Sequence, residues 1–208
     1  MHTTAEGHVF PERRLEPFLE PALGPELQRP VEDRRSAMRG VRAVDQHRSR
    51  LDQADSRGDA DYELLDLKEF NVPLLESGTH PMRANKTYNS PEVTAWSKAI
   101  DSCDAYVFVT PEYNHGVPGA MKNAVDVLGP EWVGKAIAFV GYGSAGGVHA
   151  VEHWRQIAGN LSMVDVRQQL ELSLFTEFGD NGFTPNERRE GELATLLDQL
   201  TEMARRLA

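Results

Sequence analysis

From residue 58 onward the sequence predicts an α/β fold, a doubly wound and mainly parallel sheet with helices on both faces, on the strength of three observations. Short apolar runs alternate with segments of helical periodicity in the order strand, helix, strand, helix. The helical segments follow recognisable start signals at Ser90-Pro91, at Pro118 and at a glycine-rich turn. The chain has 208 residues, enough for one such domain with a proper core and too few for two comfortable ones.

Each element has its own signal. Tyr62 to Leu67, in DYELLDL, reads as a short strand, Ala105 to Thr110 (AYVFVT) and Ala136 to Gly141 (AIAFVG) as buried ones, and Val164 to Leu174 as an alternating one. Ser90 is placed to cap a helix with Pro91 at its first position and Val93, Trp96 and Ile100 on one face. Val117, Met121, Ala124, Val125 and Leu128 share a face behind Pro118, and Val148, Val151, Trp154, Ala158 and Leu161 do so behind the glycine turn. Thr184-Pro185-Asn186-Glu187 has the form of a capping box, opening a last helix with Leu193, Leu196, Leu197, Leu200 and Leu207 on its face.

Residues 1 to 57 read differently. They hold ten arginines and no lysine, whereas all five lysines come later. No apolar run there exceeds two residues, so no core strand is expected, although a buried parallel strand should show four to eight. Pro11, Pro17, Pro21, Pro25 and Pro30 interrupt any helix across the first 35 residues. From Ala37 to Ser56 the spacing of Val41, Val44 and Leu51 permits a polar helix with a thin apolar stripe. The expected organisation is therefore an atypical Arg/Pro-rich segment over residues 1–57 and the α/β domain over residues 58–208. The abrupt change of composition admits two origins, a divergent and disordered arm or a reading frame shifted upstream of residue 57.

Composition excludes several functions. A formal net charge of −10 argues against a sequence-independent grip on nucleic-acid phosphates, which needs a basic face. No stretch approaches the roughly 20 apolar residues of a membrane span. The first residues, MHTTAEGHVFPERR, lack the apolar centre of a signal peptide, and the one cysteine, Cys103, forms no internal disulfide, so a cytoplasmic protein is expected. Cys103, just ahead of a buried strand, reads as a small packed residue. His149 and His153 stand four apart with Glu152 between them, but no third ligand is near in sequence and the HExxH order is absent, so no metal site is expected.

In a parallel sheet of this kind ligands bind beyond the carboxyl ends of the strands. AYVFVT leads into Pro111-Glu112-Tyr113-Asn114-His115-Gly116-Val117-Pro118-Gly119, and AIAFVG leads into Gly141-Tyr142-Gly143-Ser144-Ala145-Gly146-Gly147. The second loop's glycines allow close backbone approach and present N–H donors. Neither loop holds an acid, base and nucleophile for hydrolysis, so a planar cofactor held by backbone donors fits better. No catalytic side chain is assigned.

The stretch Thr110-Pro111-Glu112-Tyr113-Asn114-His115-Gly116-Val117-Pro118-Gly119-Ala120-Met121-Lys122-Asn123-Ala124-Val125-Asp126 resembles the TPEYN…P…KNA.D signature of NADPH-dependent FMN reductases. Gly141 to Gly147 resembles that family's second flavin loop, and SLFTEFGDNGFTPNERREGEL its C-terminal segment, so the likeness covers about residues 58–208. It implies a flavodoxin-like fold and an FMN-dependent NAD(P)H oxidoreductase. Hydride would pass by way of flavin to a small-molecule acceptor such as a quinone, an azo compound or another flavin, and the implied cofactors are FMN and NADPH. Pro111, Glu112, Tyr113 and Asn114 would lie along the isoalloxazine ring, with Ser144, Gly146 and Gly147 bordering it. His115 would border the flavin or stand as an exposed loop histidine. The family also implies a homodimer or homotetramer.

Members of that family begin with an apolar strand and a GSxRxxS-like phosphate loop at a helix N-terminus. The nearest text here, Arg34-Arg35-Ser36-Ala37-Met38-Arg39-Gly40, has no strand before it, so the first strand of the 2-1-3-4-5 order is expected to be missing or replaced. That expectation keeps two further readings open: a truncated, inactive relative serving as an interaction module, and a flavodoxin-like electron carrier.

Overall fold

The computed structural model describes residues 41–45 as backbone and residues 57–179 and 182–208 in full. Its main sheet has five parallel strands: β1 (Val41–Asp45), β2 (Tyr62–Asp66), β3 (Ala105–Pro111), β4 (Ala136–Gly143) and β5 (Val164–Ser173). They lie in the order β2-β1-β3-β4-β5. The helices are α1 (Leu67–Phe70), α2 (Pro91–Asp101), α3 (Gly119–Asp126), α4 (Val148–Asn160) and α5 (Arg188–Leu207), with a small hairpin of β6 (Phe178–Gly179) and β7 (Gly182–Phe183) before α5. The order of strands and helices from residue 58 onward follows the sequence reading.

The first strand is present, which corrects the expectation that it is missing. Val41–Asp45 runs parallel to both neighbours, with Val41 opposite Tyr62 on one side and opposite Ala105 on the other. The polar-helix reading of residues 37–56 accordingly fails over Val41–Asp45, and its remainder lies outside the described residues, as does the irregular reading of residues 1–35. The pattern VRAVD misled because it has three apolar residues rather than the run of four or more expected of a strand covered on both faces. Strand pairing on both sides supplies backbone hydrogen bonds whatever the side chains, so tertiary context overrides the weak local signal.

Alternation along β3 and β4 sorts the core into two layers. Tyr106, Phe108, Ile137 and Phe139 face Trp96 and Ile100 of α2, Met121 of α3 and Val151 and Trp154 of α4. Ala105, Val107, Val109, Ala136, Ala138 and Val140 face Leu196, Leu197, Leu200 and Ala204 of α5. Bulky rings on one face and small residues on the other let α5 sit close to the sheet while three helices span the opposite side. The indole N–H groups are satisfied inside: Trp96 donates to the Ala124 carbonyl at 2.7 Å and Trp132 to the Val125 carbonyl at 3.1 Å.

The helix starts are partly as expected. Ser90 caps α2, its hydroxyl accepting from the Val93 N–H, with Pro91 at the first position. The Thr184 capping box does not form, and α5 begins only at Arg188 with no side-chain cap. The buried Glu177 carboxylate takes the Asn186 N–H at 3.2 Å and the Arg189 guanidinium at 2.7 Å, while the Thr184 N–H goes to the Glu177 carbonyl. These bonds hold residues 184–186 against the hairpin instead of in a first helical turn.

At the edge strand β5 the register with β4 shifts between Ile137 and Phe139, where Asp165 is followed as partner by Gln169. The Arg155 guanidinium spans this bulge, donating to the carbonyls of Val166 at 3.0 Å and Arg167 at 3.2 Å and pairing with Asp165.

Candidate functional site

The two loops singled out by sequence leave neighbouring strands side by side. Thr110 pairs with Gly141 and Pro111 with Tyr142, and the Glu112 N–H extends the ladder to the Tyr142 carbonyl at 2.9 Å. Beyond it, Tyr113 and Gly116 exchange backbone hydrogen bonds of 3.1 and 3.0 Å around Asn114 (φ 50°) and His115 (φ 59°). Positive φ at both central positions is the mark of a type I′ turn, which costs His115 more than it would cost glycine.

The second loop folds tightly on itself. The Gly146 N–H donates to the Gly143 carbonyl at 3.1 Å, and Gly147, at φ 78°, begins α4. A Cβ at Gly147 would come within 2.5 Å of the Tyr142 nitrogen, so only glycine fits there. Gly146 (φ 74°) backs onto Glu171, 3.0 Å from the β-carbon that a side chain would add. These two glycines serve the packing of the loop itself. The exposed residues of the turn are Ser144 and Ala145.

Glu112 joins the two loops. Its side chain is 4% exposed, although it leaves a surface turn. One carboxylate oxygen accepts from the backbone N–H groups of His149 at 2.9 Å and Ala150 at 3.4 Å, and the other lies 3.0 Å from His149 Nδ1. An ionised carboxylate only accepts, so His149 carries its proton on Nδ1 in this arrangement. Burial raises the Glu112 pKa, but the hydrogen bonds from the His149 ring and from the Ala150 and His149 N–H groups outweigh it and hold the carboxyl below the usual range. The negative charge also sits where the α4 macrodipole is positive. The α4 N-terminus, an ordinary anion site, is thus filled by the protein's own carboxylate.

The sequence-derived candidates divide by position. Pro111 is buried at the end of β3, and Glu112 points inward to α4. Tyr113 (55% exposed) and Asn114 stand out on the turn, Ser144 is exposed opposite, and Gly146 and Gly147 are buried. The structure brings all seven to one sheet edge. Sequence reasoning did not assign Asn123, whose side chain clamps a preceding loop by donating to the Pro73 carbonyl and accepting from the Leu75 N–H, both at 2.9 Å. It also gave no partner to Trp154, whose indole donates to Thr110 Oγ1 at 3.1 Å beneath the site. Both residues were visible in the motifs, but their partners lie tens of residues away.

His115 and His149 stack with ring centroids 4.0 Å apart and planes 7° apart. Glu112, His115 and His149 each offer a donor atom within 4.8 Å of the other two. The β3 loop brings Glu112 and His115 beside His149.

Arg34 to Gly40, the nearest text to an FMN phosphate loop, lie outside the described residues, and β1 has its carboxyl end, the side on which ligands bind, at Asp45. The chain that leaves that carboxyl end after Asp45 reads Gln46-His47-Arg48-Ser49-Arg50. An exposed aromatic, an amide and an exposed glycine-flanked turn suit the ring of a flavin.

The chain is similar to known proteins in sequence and in fold. The family model for NADPH-dependent FMN reductase matches residues 37–177, a stretch that includes β1. An NAD(P)H-dependent FMN reductase of Schizosaccharomyces pombe is 37% identical over 103 residues, 50% of this chain and 52% of that protein. An NAD(P)H:quinone oxidoreductase of Solanum tuberosum is 30% identical over 146 residues, 66% of this chain and 71% of that protein. The chain spans about half the length of the first of these relatives. Among solved structures, the flavoenzyme NAD(P)H:(acceptor) oxidoreductase FerB of Paracoccus denitrificans superposes with a TM-score of 0.59 at 20% identity, over 79% of this chain and 97% of that one. This last likeness concerns the fold.

Proposed function

From the premise that the chain belongs to the NADPH-dependent FMN reductase family, we propose that it is an FMN-dependent NAD(P)H oxidoreductase that reduces a small-molecule acceptor. A quinone is the acceptor class best supported, because relatives of this chain carry quinone reductase names. Azo compounds and free flavins remain within the same chemistry. FMN, when bound, supplies the hydride chemistry between nicotinamide and acceptor.

The observation that carries this reading is the junction at Glu112, which fixes the turn of Tyr113 and Asn114 against the Gly143–Gly147 loop. Tyr113 would lie against the flavin ring and Asn114 would hydrogen-bond its polar edge. Ser144 would donate to the edge where negative charge develops on reduction. Glu112, Gly146 and Gly147 would act by positioning these groups. With the α4 N-terminus filled by Glu112, the FMN phosphate falls to the segment after β1, where Arg48, Ser49 and Arg50 have suitable chemistry. No protein acid or base is needed for hydride transfer.

The rival reading as an inactive interaction module drew its support from a missing first strand, and β1 removes that support. We assign the protein to the cytoplasm, in keeping with the absence of any helix among the described residues long and apolar enough to cross a membrane. Self-association as a dimer or tetramer fits the exposed Leu174, Phe175 and Phe183 around the β6–β7 hairpin, and light scattering on the purified protein tests it.

The enzyme assignment is tested by titrating FMN into the purified chain and adding NADPH anaerobically. Saturable binding with quenching of flavin fluorescence, followed by bleaching of the yellow colour and its return on adding a quinone, is the expected result. Failure to bind FMN, or bound FMN that NADPH leaves oxidised, overturns it. Arg48→Ala with Arg50→Ala should weaken FMN binding by at least tenfold and leave riboflavin binding unchanged, since riboflavin has no phosphate.

A further inference from the structure

We propose that Glu112, His115 and His149 form a binding site for a first-row divalent transition cation such as Zn2+, joining the β3 loop to the start of α4. The inference is independent of the flavin reading. One carboxylate and two imidazoles are a borderline-soft O/N set that suits zinc, nickel or copper better than calcium or magnesium. The donor atoms of the three residues all lie within 4.8 Å of one another. Glu112 Oε1 and His149 Nδ1 are 3.0 Å apart, close to the roughly 3.3 Å edge of a tetrahedron with bonds near 2.0 Å. A cation would take the place of the proton now between them.

His115 completes the set from the other side. Its ring is stacked on that of His149 on an exposed turn, and ligation requires the His115 side chain to rotate out of that stack so that its lone pair meets the same point. The backbone pays for this placement, since His115 occupies the left-handed region at φ 59° where glycine would be at ease. A further imidazole is close by: a β-carbon at Gly116, in the same turn, would lie 3.9 Å from His153 Nδ1. Three of the chain's seven histidines therefore gather around one turn. The α4 N-terminus opposes a cation electrostatically, and the Glu112 carboxylate, which keeps its other oxygen on the helix N–H groups, offsets that field.

The test is calorimetric titration of Zn2+ into the metal-stripped, tag-free full chain, with Co2+ absorption as a second probe. One saturable ion per chain is expected. His115→Ala and His149→Ala should each weaken it about tenfold or more, while His80→Ala leaves it unchanged. Absence of saturable binding overturns the proposal, as does unchanged affinity in the His115→Ala, His149→Ala double variant. Circular dichroism of each variant verifies folding, and should His149→Ala not fold, the exposed His115→Ala decides the matter alone.

Discussion

Glu112 holds His149 at two points, the backbone N–H at 2.9 Å and Nδ1 at 3.0 Å, and so fastens the end of β3 to the beginning of α4. Glu112→Ala leaves the first N–H groups of α4 without their acceptor. It should destabilise the protein by about 1–2 kcal/mol in urea unfolding, and Glu112→Gln by less, because the amide oxygen still accepts. If FMN binds as proposed, its affinity should fall with Glu112→Ala as the turn of Tyr113 loosens.

Gly147→Ala should be worse than an ordinary loop substitution. It places a β-carbon within 2.5 Å of the Tyr142 nitrogen and forces a side chain onto φ 78°. Both penalties fall on backbone that cannot step aside, so a loss of about 2–4 kcal/mol is expected by denaturant titration. Gly159→Ala, where the added carbon meets nothing within 4 Å, is the comparison.

The Glu177–Arg189 pair gives a pH signature. The hydrogen bond from Arg189 is the main reason that the Glu177 carboxyl stays below its usual range. A depressed folded-state pKa contributes stability that is present above the unfolded value, near 4.3, and is lost as pH falls through the folded value. The melting-temperature gap between the native protein and Glu177→Gln should therefore be full at pH 7 and shrink below about pH 4. A gap that is constant across this range would refute the pair's role.

Asn123→Ala removes the clamp on Pro73 and Leu75. A modest loss of about 1 kcal/mol is expected, with faster amide hydrogen exchange confined to residues 72–80.

Legibility in the sequence tracked how local each signal was. The runs AYVFVT and AIAFVG identify β3 and β4 because both faces of each strand are covered. Ser90 and Pro91 announce α2 within four residues. β1 escaped because Arg42 and Asp45 break its apolar pattern, and Val41 and Val44, three apart, suit a helix equally well. At the candidate site, PEYN and the glycine loop meet at the carboxyl ends of β3 and β4. What could not be read was the direction of Glu112, whose partner is 37 positions away and arrives only because β3 and β4 are neighbours. The pairing of His115 with His149 was hidden for the same reason.

The Arg155 bridge over the β5 bulge has an effect beyond this one domain. Carbonyls of Val166 and Arg167, which an outermost strand would otherwise offer to a passing chain, are already occupied by a fixed cation. A rim with a register break and two carbonyls already bonded is a poorer template for an added strand than a regular one.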